Sequence, residues 1–323
     1  MQRWNDLAEV PADHGPSVVA IGNFDGVHLG HRSVLTRLVE EARARSAAAV
    51  AITFWPHPLH VLHPDRAPEL LTGRQDKLDL LDSTGLDAVL EMPFTRELAG
   101  WSPERFVEDV LVRALHATAV VVGRDIRFGY RNSGDLSTMR RLGEQHGFDV
   151  IVLDDVGAGG AGEGRWSSTI VRQRLAAGDV AGAAEVLGRP HRLRGTVVHG
   201  DHRGRELGFP TANLGPDQTG MLPADGVYAG WMERLDLPAG APDRRLPAAI
   251  SIGTNPTFDG HGRRVEAYVL DRDDLDLYGE TVALDLVERL RDTVRYDGPA
   301  SLVEQMRRDA EQARRVLDSG RRA

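Results

Sequence analysis

Short apolar runs alternate with longer amphipathic segments over roughly the first 187 residues of the chain. The apolar runs are rich in valine, isoleucine and alanine, and their length is typical of buried strands. They lie at residues 17–22, 48–54, 87–91, 117–123 and 149–153. Strands that alternate with helices predict a mostly parallel α/β sheet, which binds its ligands at the carboxyl ends of the strands.

The segments between these runs carry the marks of helices and connectors. Ser102 and Pro103 supply an N-cap and a first-turn proline for a helix at residues 103–115. The stretch VGAGGAGEGR (156–165) is better explained as a connector than as a phosphate-binding loop, because no strand–glycine–helix arrangement frames it. One or two further helices follow and end near Gly188.

The pattern changes near residue 190, where short strand-like runs are separated by glycine, proline and aspartate. Several strands at this spacing predict a small antiparallel barrel or a sandwich. A final helix is predicted by an apolar stripe at helical period, formed by Leu302, Met306, Ala310, Ala313 and Leu317. We therefore predict two domains, residues 1–187 with the parallel sheet and residues 188–323 with the barrel and a closing helix.

The composition excludes several classes of function. The 39 basic and 48 acidic residues give a net charge of −9, so the chain is a poor general binder of nucleic acid. No apolar run approaches the roughly 18 residues that a membrane span needs. The first residues lack the features of a signal peptide, and we expect a cytoplasmic protein without a membrane partner. The absence of cysteine excludes disulfides, thiolate zinc sites and a cysteine nucleophile.

Lysine occurs once, at Lys77, and the other lysine-or-arginine positions are all arginine. Codon preference is a sufficient explanation for this bias. The consequence is chemical, because the P-loop motif that binds nucleotide phosphates requires a lysine after its glycines. The sequence around Lys77, TGRQDKLDLL, is not that motif. A nucleotide site in this chain must therefore use backbone amides, arginine, histidine and metal.

Candidate chemistry is concentrated after the first apolar run, in IGNFDGVHLGHRSVL (21–35). His28 and His31 lie three residues apart at the head of a predicted helix and so share one face. The residues alone leave three roles open for them, namely capping or surface histidines, metal ligands and phosphate-binding groups. The three glycines of the stretch favour phosphate, because they allow a ligand close to the backbone beside the anion-binding N–H groups of the first turn.

This stretch resembles the G-x-F-D-x-x-H-x-G-H signature of the nucleotidylyltransferase superfamily, and the nearer match is to prokaryotic bifunctional riboflavin kinase/FAD synthetases. Three further stretches agree with that family, TFWPHP (53–58), VVVGRDIRFGYRNSGD (120–135) and RWSSTIVRQRLAAGDV (165–180). Trp166, Val171 and Ile126 stand where other apolar residues are usual. The resemblance implies a Rossmann-like nucleotidylyltransferase domain that converts FMN and ATP to FAD and pyrophosphate.

The resemblance also implies the residues of this first site. His28 and His31 would contact the ATP phosphates, and Asp125 would hold the ribose or the base. The rest of the nucleotide site would be formed by Gly22, Asn23, Phe24, Asp25, Gly30, Arg165, Ser168, Thr169 and Arg172. Candidate walls for the isoalloxazine ring are Phe54, Pro56, Pro58 and Phe128. Each of these four has a place in the core as its alternative role.

A second stretch with candidate chemistry is GDHRGRELGFPTANL (200–214). On an extended backbone Thr211 and Asn213 project to the same side, and their oxygens suit Mg²⁺ bound to substrate phosphates. The alternative is a proline-containing loop in which both residues cap local backbone. The stretch resembles the complete riboflavin kinase signature. Later stretches follow in family order, ADGVYAGW (224–231), IGTNPTF (252–258), VEAYVLD (265–271) and LYGETVALDLVERLR (277–291).

The second resemblance implies phosphorylation of riboflavin by ATP to give FMN. The attacking 5′-hydroxyl is neutral, so a carboxylate that accepts its proton is useful. Glu266 matches the catalytic glutamate of the family, and without that match it would be an outward-facing strand residue. Thr211 and Asn213 would hold Mg²⁺ on ATP. The other ATP-binding residues of this site would be Gly200, Arg203, Gly204, Arg205, Gly208 and Pro210.

Together the two sets of motifs predict a bifunctional enzyme of flavin nucleotide synthesis. Its substrates would be riboflavin, FMN and ATP, and both reactions would use Mg²⁺. One alternative is a flavin- or nucleotide-binding regulator that retains only one activity, and another is a nucleotidylyltransferase that acts on a different phosphate. The intact HLGH and SSTIVR segments count against the first, and the PTAN segment with Glu266 counts against the second.

Overall fold

The computed structural model of the protein describes residues 1–153, 166–200, 208–254 and 263–319. The chain divides into two compact units. The first comprises Met1–Glu69 and Arg74–Ser167, and the second comprises Leu70–Gly73 and Ser168–Ala323.

The first unit is built on a six-stranded parallel sheet, and five of its strands coincide with the five apolar runs. In chain order the strands are β1 (Gln2–Trp4), β2 (Ser17–Ile21), β3 (Ala48–Trp55), β4 (Ala88–Pro93), β5 (Ala117–Gly123) and β6 (Asp149–Leu153). They lie side by side in the order β1-β4-β3-β2-β5-β6. The parallel α/β prediction is confirmed. The pattern missed only the short edge strand β1, which pairs with β4.

Helices cover both faces of this sheet. They are α1 (Leu29–Ala44), α2 (Pro58–Leu62), α3 (Arg74–Asp82), α4 (Arg96–Ala99), α5 (Pro103–Phe106) and α6 (Leu136–His146), with 3₁₀ turns at Leu7–Glu9, Pro64–Arg66 and Tyr130–Asn132. One core contains Leu35 of α1 and Leu81 of α3, and the other contains Phe106 and Leu142. Neighbouring strand residues alternate between the two cores because strand side chains alternate between faces.

The helix predicted at residues 103–115 is α-helical only over its first turn. Ser102 caps it as expected, accepting a hydrogen bond from the backbone N–H of Arg105 at 3.2 Å. From Val107 to Ala114 the helix is π-helical. The cap and the first-turn proline were readable from the sequence, whereas nothing in the residue pattern distinguished the π-helical hydrogen bonding.

The strand order of the sheet reverses at β2. β3 pairs with β2 on one side, and β5 pairs with it on the other. Open α/β sheets bind ligands in the crevice outside the strand carboxyl ends at such a point. The HLGH stretch begins α1 a few residues after β2 ends, so it lies at this crevice.

The second unit is built on a closed antiparallel barrel with the strand order β10-β11-β8-β7-β12-β9. Its strands are β7 (His191–Val198), β8 (Thr211–Leu214), β9 (Gly226–Arg234), β10 (Arg245–Thr254), β11 (Arg263–Val269) and β12 (Thr281–Arg291). Of the two architectures expected for this half, the barrel is the correct one.

In the described part of this unit the helices are α7 (Ser168–Ala176), α8 (Val180–Leu187) and, after β12, α9 (Pro299–Ser319). Helix α8 contacts β12 and β7, so the helices before residue 187 group with the barrel by their contacts. The predicted functional boundary at residue 187 stays a prediction. The predicted stripe of α9 is buried against the barrel through Ala310, Ala313 and Leu317.

His191 at the start of β7 makes the stability of the barrel depend on pH. Its ring is buried, and its Nε2 donates a hydrogen bond to the carbonyl oxygen of Met221 at 2.7 Å. Burial lowers the pKa of His191 to about 4. Below its ordinary pKa of about 6.5 the unfolded chain therefore binds more protons than the folded chain, and stability decreases as pH falls from there toward 4.

We expect the free energy of unfolding to fall by about 2 kcal/mol between neutral pH and about pH 5 through this group alone. His191→Gln keeps a donor for the Met221 carbonyl oxygen but does not titrate. Urea unfolding of the parent and the variant at both pH values measures the difference. An equal loss of stability in the two proteins would contradict the assignment to His191.

Candidate active sites

The turn after β2 places two histidines at the start of α1. His28 is the N-cap residue, and its Nδ1 accepts a hydrogen bond from the backbone N–H of His31 at 3.3 Å. The two imidazole rings stack with their centroids 3.6 Å apart. Because Nδ1 of His28 accepts, its neutral ring carries the proton on Nε2. The capping role is therefore real, and it assigns the proton of the neutral ring to Nε2.

The backbone of this turn is held in an uncommon conformation. Phe24, Gly26 and Val27 have positive φ angles of 49°, 80° and 38°. For the two residues with side chains this conformation costs of the order of 1–3 kcal/mol each and requires support from the surroundings. The buried ring of Phe24 provides part of this support, because it contacts the His31 ring edge-on at 5.4 Å.

Further predicted nucleotide-site residues lie around this turn. The backbone carbonyl oxygen of Asn23 accepts a hydrogen bond from Thr53 Oγ1 at 3.1 Å, and the Asn23 amide lies 3.3 Å from Nε2 of His57. Asp25 is buried within the turn. Asp125 is exposed just after β5, the neighbour of β2. The predicted set from Gly22 to His31 is thus brought together at one edge of the sheet.

Gly30 lies where α1 begins and where the chain approaching α7 passes by. A Cβ at Gly30 would lie 3.1 Å from the His28 ring and 3.1 Å from the carbonyl oxygen of Trp166. The HLGH stretch and Trp166 therefore meet here, and glycine is required by their close approach. Ser168, Thr169 and Arg172 follow on α7 in the second unit, and Arg165 lies outside the described residues.

The predicted flavin walls divide into two groups. Phe54 is half-buried near the end of β3, Pro56 is exposed just after it, and Pro58 begins α2. These three lie at the carboxyl edge of the sheet. Phe128 is buried in the core beside Phe106, with ring centroids 6.2 Å apart. Its core role is thus established, and its contact with flavin stays a prediction.

Lys77 also reaches this edge of the sheet, although no motif in the sequence pointed to it. It is 4% exposed, and its Nζ donates to Thr53 Oγ1 at 3.2 Å and to the carbonyl oxygen of Phe54 at 3.0 Å. Its Nζ also lies 3.3 Å from Oε1 of Glu91. Burial lowers the pKa of Lys77, and the Glu91 carboxylate opposes this effect. The signal in the sequence was compositional, a single lysine in a chain that otherwise uses arginine.

In the barrel, strand pairing brings the predicted kinase residues together. Glu266 on β11 lies opposite Asn213 on β8, and Tyr268 lies opposite Thr211. Opposed residues of an antiparallel pair have their Cβ atoms about 5 Å apart. Glu266, Thr211 and Asn213 are all partly exposed, while Val265 and Ala267 on either side of Glu266 are buried. Glu266 therefore faces outward from the barrel, as expected of an ordinary strand residue at this position. It does so beside Thr211 and Asn213.

Helix α9 turns part of this outer face into a cavity of about 340 Å³, a volume within the usual range of small-molecule sites. Its walls include Glu266 and Thr211 of the predicted site. Side chains that the sequence analysis did not identify also line it, among them Phe209, Ser251, Tyr268, Thr293, Tyr296, Leu302 and Met306. The hydroxyl of Tyr296 is buried and has no hydrogen-bond partner within the described residues.

Of the remaining predicted kinase residues, Gly200, Gly208 and Pro210 are among the described residues. Gly200 packs against Asn213, since a Cβ at Gly200 would lie 2.5 Å from Asn213 Nδ2. Gly208 has a positive φ of 82° and precedes Phe209 and the half-buried Pro210. Arg203, Gly204 and Arg205 lie outside the described residues. Within the described ranges, no group of three or more histidine, aspartate or glutamate side chains is arranged to hold a metal.

Two known families match successive parts of the chain. The sequence model of FAD synthetase matches residues 10–169, and that of riboflavin kinase matches residues 187–317. The chain belongs to the bifunctional riboflavin kinase/FMN adenylyltransferase family. As a member of this family it is a transferase of flavin cofactor synthesis, with the FAD synthetase part N-terminal to the riboflavin kinase part.

Individual relatives match over nearly the full length. The bifunctional riboflavin kinase/FMN adenylyltransferase of Escherichia coli K12 is 38% identical over 310 residues, which cover 96% of this chain and 95% of the relative. The Listeria monocytogenes protein of the same name is 32% identical over 313 residues, with coverages of 96% and 93%. A crystal structure described as a macrolide-efflux protein from Streptococcus pneumoniae has a TM-score of 0.84 and 30% identity, with coverages of 97% and 98%. Across the described part of this chain, no helix is long and apolar enough to cross a membrane.

The contact between Gly200 and Asn213 can be tested by adding one methyl group. Gly200→Ala should displace the Asn213 amide and lower riboflavin kinase turnover several-fold, while conversion of supplied FMN to FAD stays unchanged. The matched control is Gly298→Ala, because a Cβ at Gly298 would meet nothing within 4 Å. Chromatographic separation of the flavins measures both reactions. Kinase turnover equal to that of the control would show that Asn213 can move without consequence.

Proposed function

We propose that FMN is adenylated at the turn between β2 and α1, with His28 and His31 on the ATP phosphates. The observation that carries this proposal is the stacked pair of rings at the first turn of α1, at the point where the strand order reverses. The FMN phosphate attacks the α-phosphorus of ATP, and pyrophosphate leaves. The nucleophile is already anionic, so the site has to supply donors and positioning rather than a base.

The protein groups at this turn suit that task. The first N–H groups of α1 carry partial positive charge toward a phosphate. Nε2 of His28 has a proton to donate, because Nδ1 is used as the cap acceptor. Phe54, Pro56 and Pro58 at the end of β3 are the side chains that would receive the isoalloxazine ring. Asp125 after β5 would receive the ribose or the base.

His31→Ala tests this assignment. We expect FAD formation from FMN and ATP to fall on the order of a hundredfold, which is the usual loss when one donor to a developing phosphate charge is removed. Riboflavin kinase turnover of the same protein is the internal control and should stay within about twofold of the parent, since the barrel folds around its own core. Unchanged FAD formation would refute a phosphate role for His31.

For the second reaction we propose that riboflavin binds in the cavity under α9 with its 5′-hydroxyl directed to Glu266. The cross-strand register that sets Glu266 opposite Asn213 supports this. The 5′-oxygen attacks the γ-phosphorus of ATP, ADP leaves, and the hydroxyl proton passes to the Glu266 carboxylate. The hydroxyl of Tyr296, which has no hydrogen-bond partner among the described residues, and the ring of Tyr268 are the cavity groups suited to bind a flavin.

The donor atoms beside Glu266 fit Mg²⁺. The side-chain N–H of Asn213 donates a hydrogen bond to the carbonyl oxygen of Thr211 at 3.3 Å. The amide oxygen is therefore the atom of this side chain that can serve as a ligand. Together with the hydroxyl of Thr211 it forms a neutral, all-oxygen pair of the kind that Mg²⁺ accepts alongside substrate phosphates. When bound, Mg²⁺ neutralises charge on the ATP phosphates. Thr211 and Asn213 are the residues that would hold it.

Glu266→Gln separates the two reactions in the opposite sense. FMN formation should fall about a hundredfold or more, because the variant cannot accept the hydroxyl proton. FAD formation from supplied FMN should be unaffected. The control is Glu288→Gln, the same change at an exposed position on β12. If Glu266→Gln abolished both reactions in a folded protein, or neither, the assignment of Glu266 would be wrong.

A further inference from the structure

The buried ammonium of Lys77 donates two hydrogen bonds and faces a carboxylate. A lysine ammonium has three donors, and Nζ of Lys77 has three oxygen neighbours at 3.0–3.3 Å, on Thr53, Phe54 and Glu91. Glu91 is 2% exposed, and Thr53 is fully buried. A lysine with this burial and these partners does not reach a nucleotide phosphate. Its position relative to the first active site therefore needs another explanation.

The three partners lie at the carboxyl edge of the sheet. Thr53 and Phe54 are near the end of β3, and Glu91 lies on β4 directly opposite Thr53 in the strand register. Lys77 projects from α3 and so ties the ends of two neighbouring parallel strands to a helix that covers them. This is the same edge at which β2 gives way to the turn that carries His28.

Thr53 extends this connection to the turn itself. Its hydroxyl accepts a hydrogen bond from Lys77 Nζ and donates one to the carbonyl oxygen of Asn23 at 3.1 Å. A hydroxyl has one proton, so an acceptor on one side and a donor on the other fix its direction. The carbonyl of Asn23 immediately precedes Phe24, the first of the residues with a positive φ. These two hydrogen bonds form a relay from Lys77 through the Thr53 hydroxyl to Asn23. The relay ends next to Phe24, where the strained turn begins.

Charge adds a second link between Lys77 and the turn. The carboxylate of Asp25 raises the pKa of Lys77, against the larger effect of burial, so the two groups interact electrostatically. Arg74, one turn before Lys77, forms an ion pair with the other oxygen of Glu91 and opposes this effect. The compact ammonium fits among these groups. A planar guanidinium presents five donors in a rigid fork and is not its equivalent.

We propose that Lys77 is a positioning residue for adenylyl transfer, acting through the Thr53 hydroxyl to fix the turn that presents His28 and His31. The inference rests on the proposed function of that turn. It explains why one lysine is present in a chain that otherwise uses arginine. The group to test first is the hydroxyl of Thr53, because its removal leaves the charges of Lys77 and Glu91 paired.

The experiment compares Thr53→Val with Thr53→Ser in the full-length protein. Thr53→Val removes the relay with little change of shape, and we expect the turnover number for FAD formation to fall about tenfold, the effect of one lost hydrogen bond in the transition state. The KM values for ATP and FMN should change much less than the turnover number. Thr53→Ser keeps the hydroxyl and should restore turnover to near the parent value.

Riboflavin kinase turnover and the thermal unfolding midpoint of each variant are measured alongside. Equal losses in Thr53→Val, which lacks the hydroxyl, and Thr53→Ser, which keeps it, would show that the hydroxyl does not set the turnover and would overturn the proposal. Parent-like turnover in Thr53→Val would overturn it as well. A parallel loss of kinase turnover would also count against it, because the relay is expected to act on the first site alone.

A second variant tests Lys77 directly. Lys77→Met combined with Glu91→Gln avoids an unpaired buried carboxylate, and it should lower FAD formation at least as much as Thr53→Val while kinase turnover is retained. FAD formation at the parent rate would overturn the role of Lys77. Failure of the site assignment is recognised separately, because His31→Ala would then leave FAD formation intact whatever the Thr53 variants do.

Discussion

The pairing of β2 with a parallel strand on each side is the constraint on which the first unit depends. Parallel strands in register end at the same edge, so the turn after β2, the end of β3 and the turn after β5 are delivered to one place. Residues far apart in the chain, such as Asn23, Thr53 and Asp125, become neighbours of a common crevice without any sequence signal that links them. The chemistry of this unit is a consequence of strand order.

The barrel brings its candidate functional side chains together in a different way. Its interior is filled by alternate strand residues such as Val265 and Ala267, so its polar chemistry has to lie on the outside. An outward-facing side chain is ordinarily solvated and does little. Here α9 covers that surface beside Glu266 and converts an exposed strand face into an enclosed one. The distinction between a surface glutamate and a candidate base is made by a helix that begins more than 30 residues later in the chain.

Local signals explain what the sequence analysis predicted and what it did not. The strand runs, the Ser102 cap and the alternation that puts Thr211 and Asn213 on one face are set by neighbours along the chain, and they were predicted correctly. The contacts of Lys77 were not predicted, because they depend on β3 and β4 meeting beneath α3. Nor did the pattern show that the helices before residue 187 contact the barrel, since their apolar faces indicate burial but not against which surface. The residue pattern thus predicts the helices and strands, whereas the surfaces they pack against are decided by contacts between residues far apart in the chain.

The ion pair between Arg291 of β12 and Asp309 of α9 has a consequence for the size of the cavity under α9. Two nitrogens of Arg291 lie 2.8 and 2.6 Å from the two oxygens of Asp309, and Asp309 is 5% exposed. The helix also contacts the barrel through apolar side chains such as Ala310, Ala313 and Leu317, and such non-directional contacts do not by themselves forbid a slide of one turn, about 5.4 Å. A buried carboxylate tolerates no such slide, because it is satisfied at one register only. Together with the ion pair between Arg314 of α9 and Asp271 after β11, this pair of charges fixes the position of the cavity wall relative to the barrel.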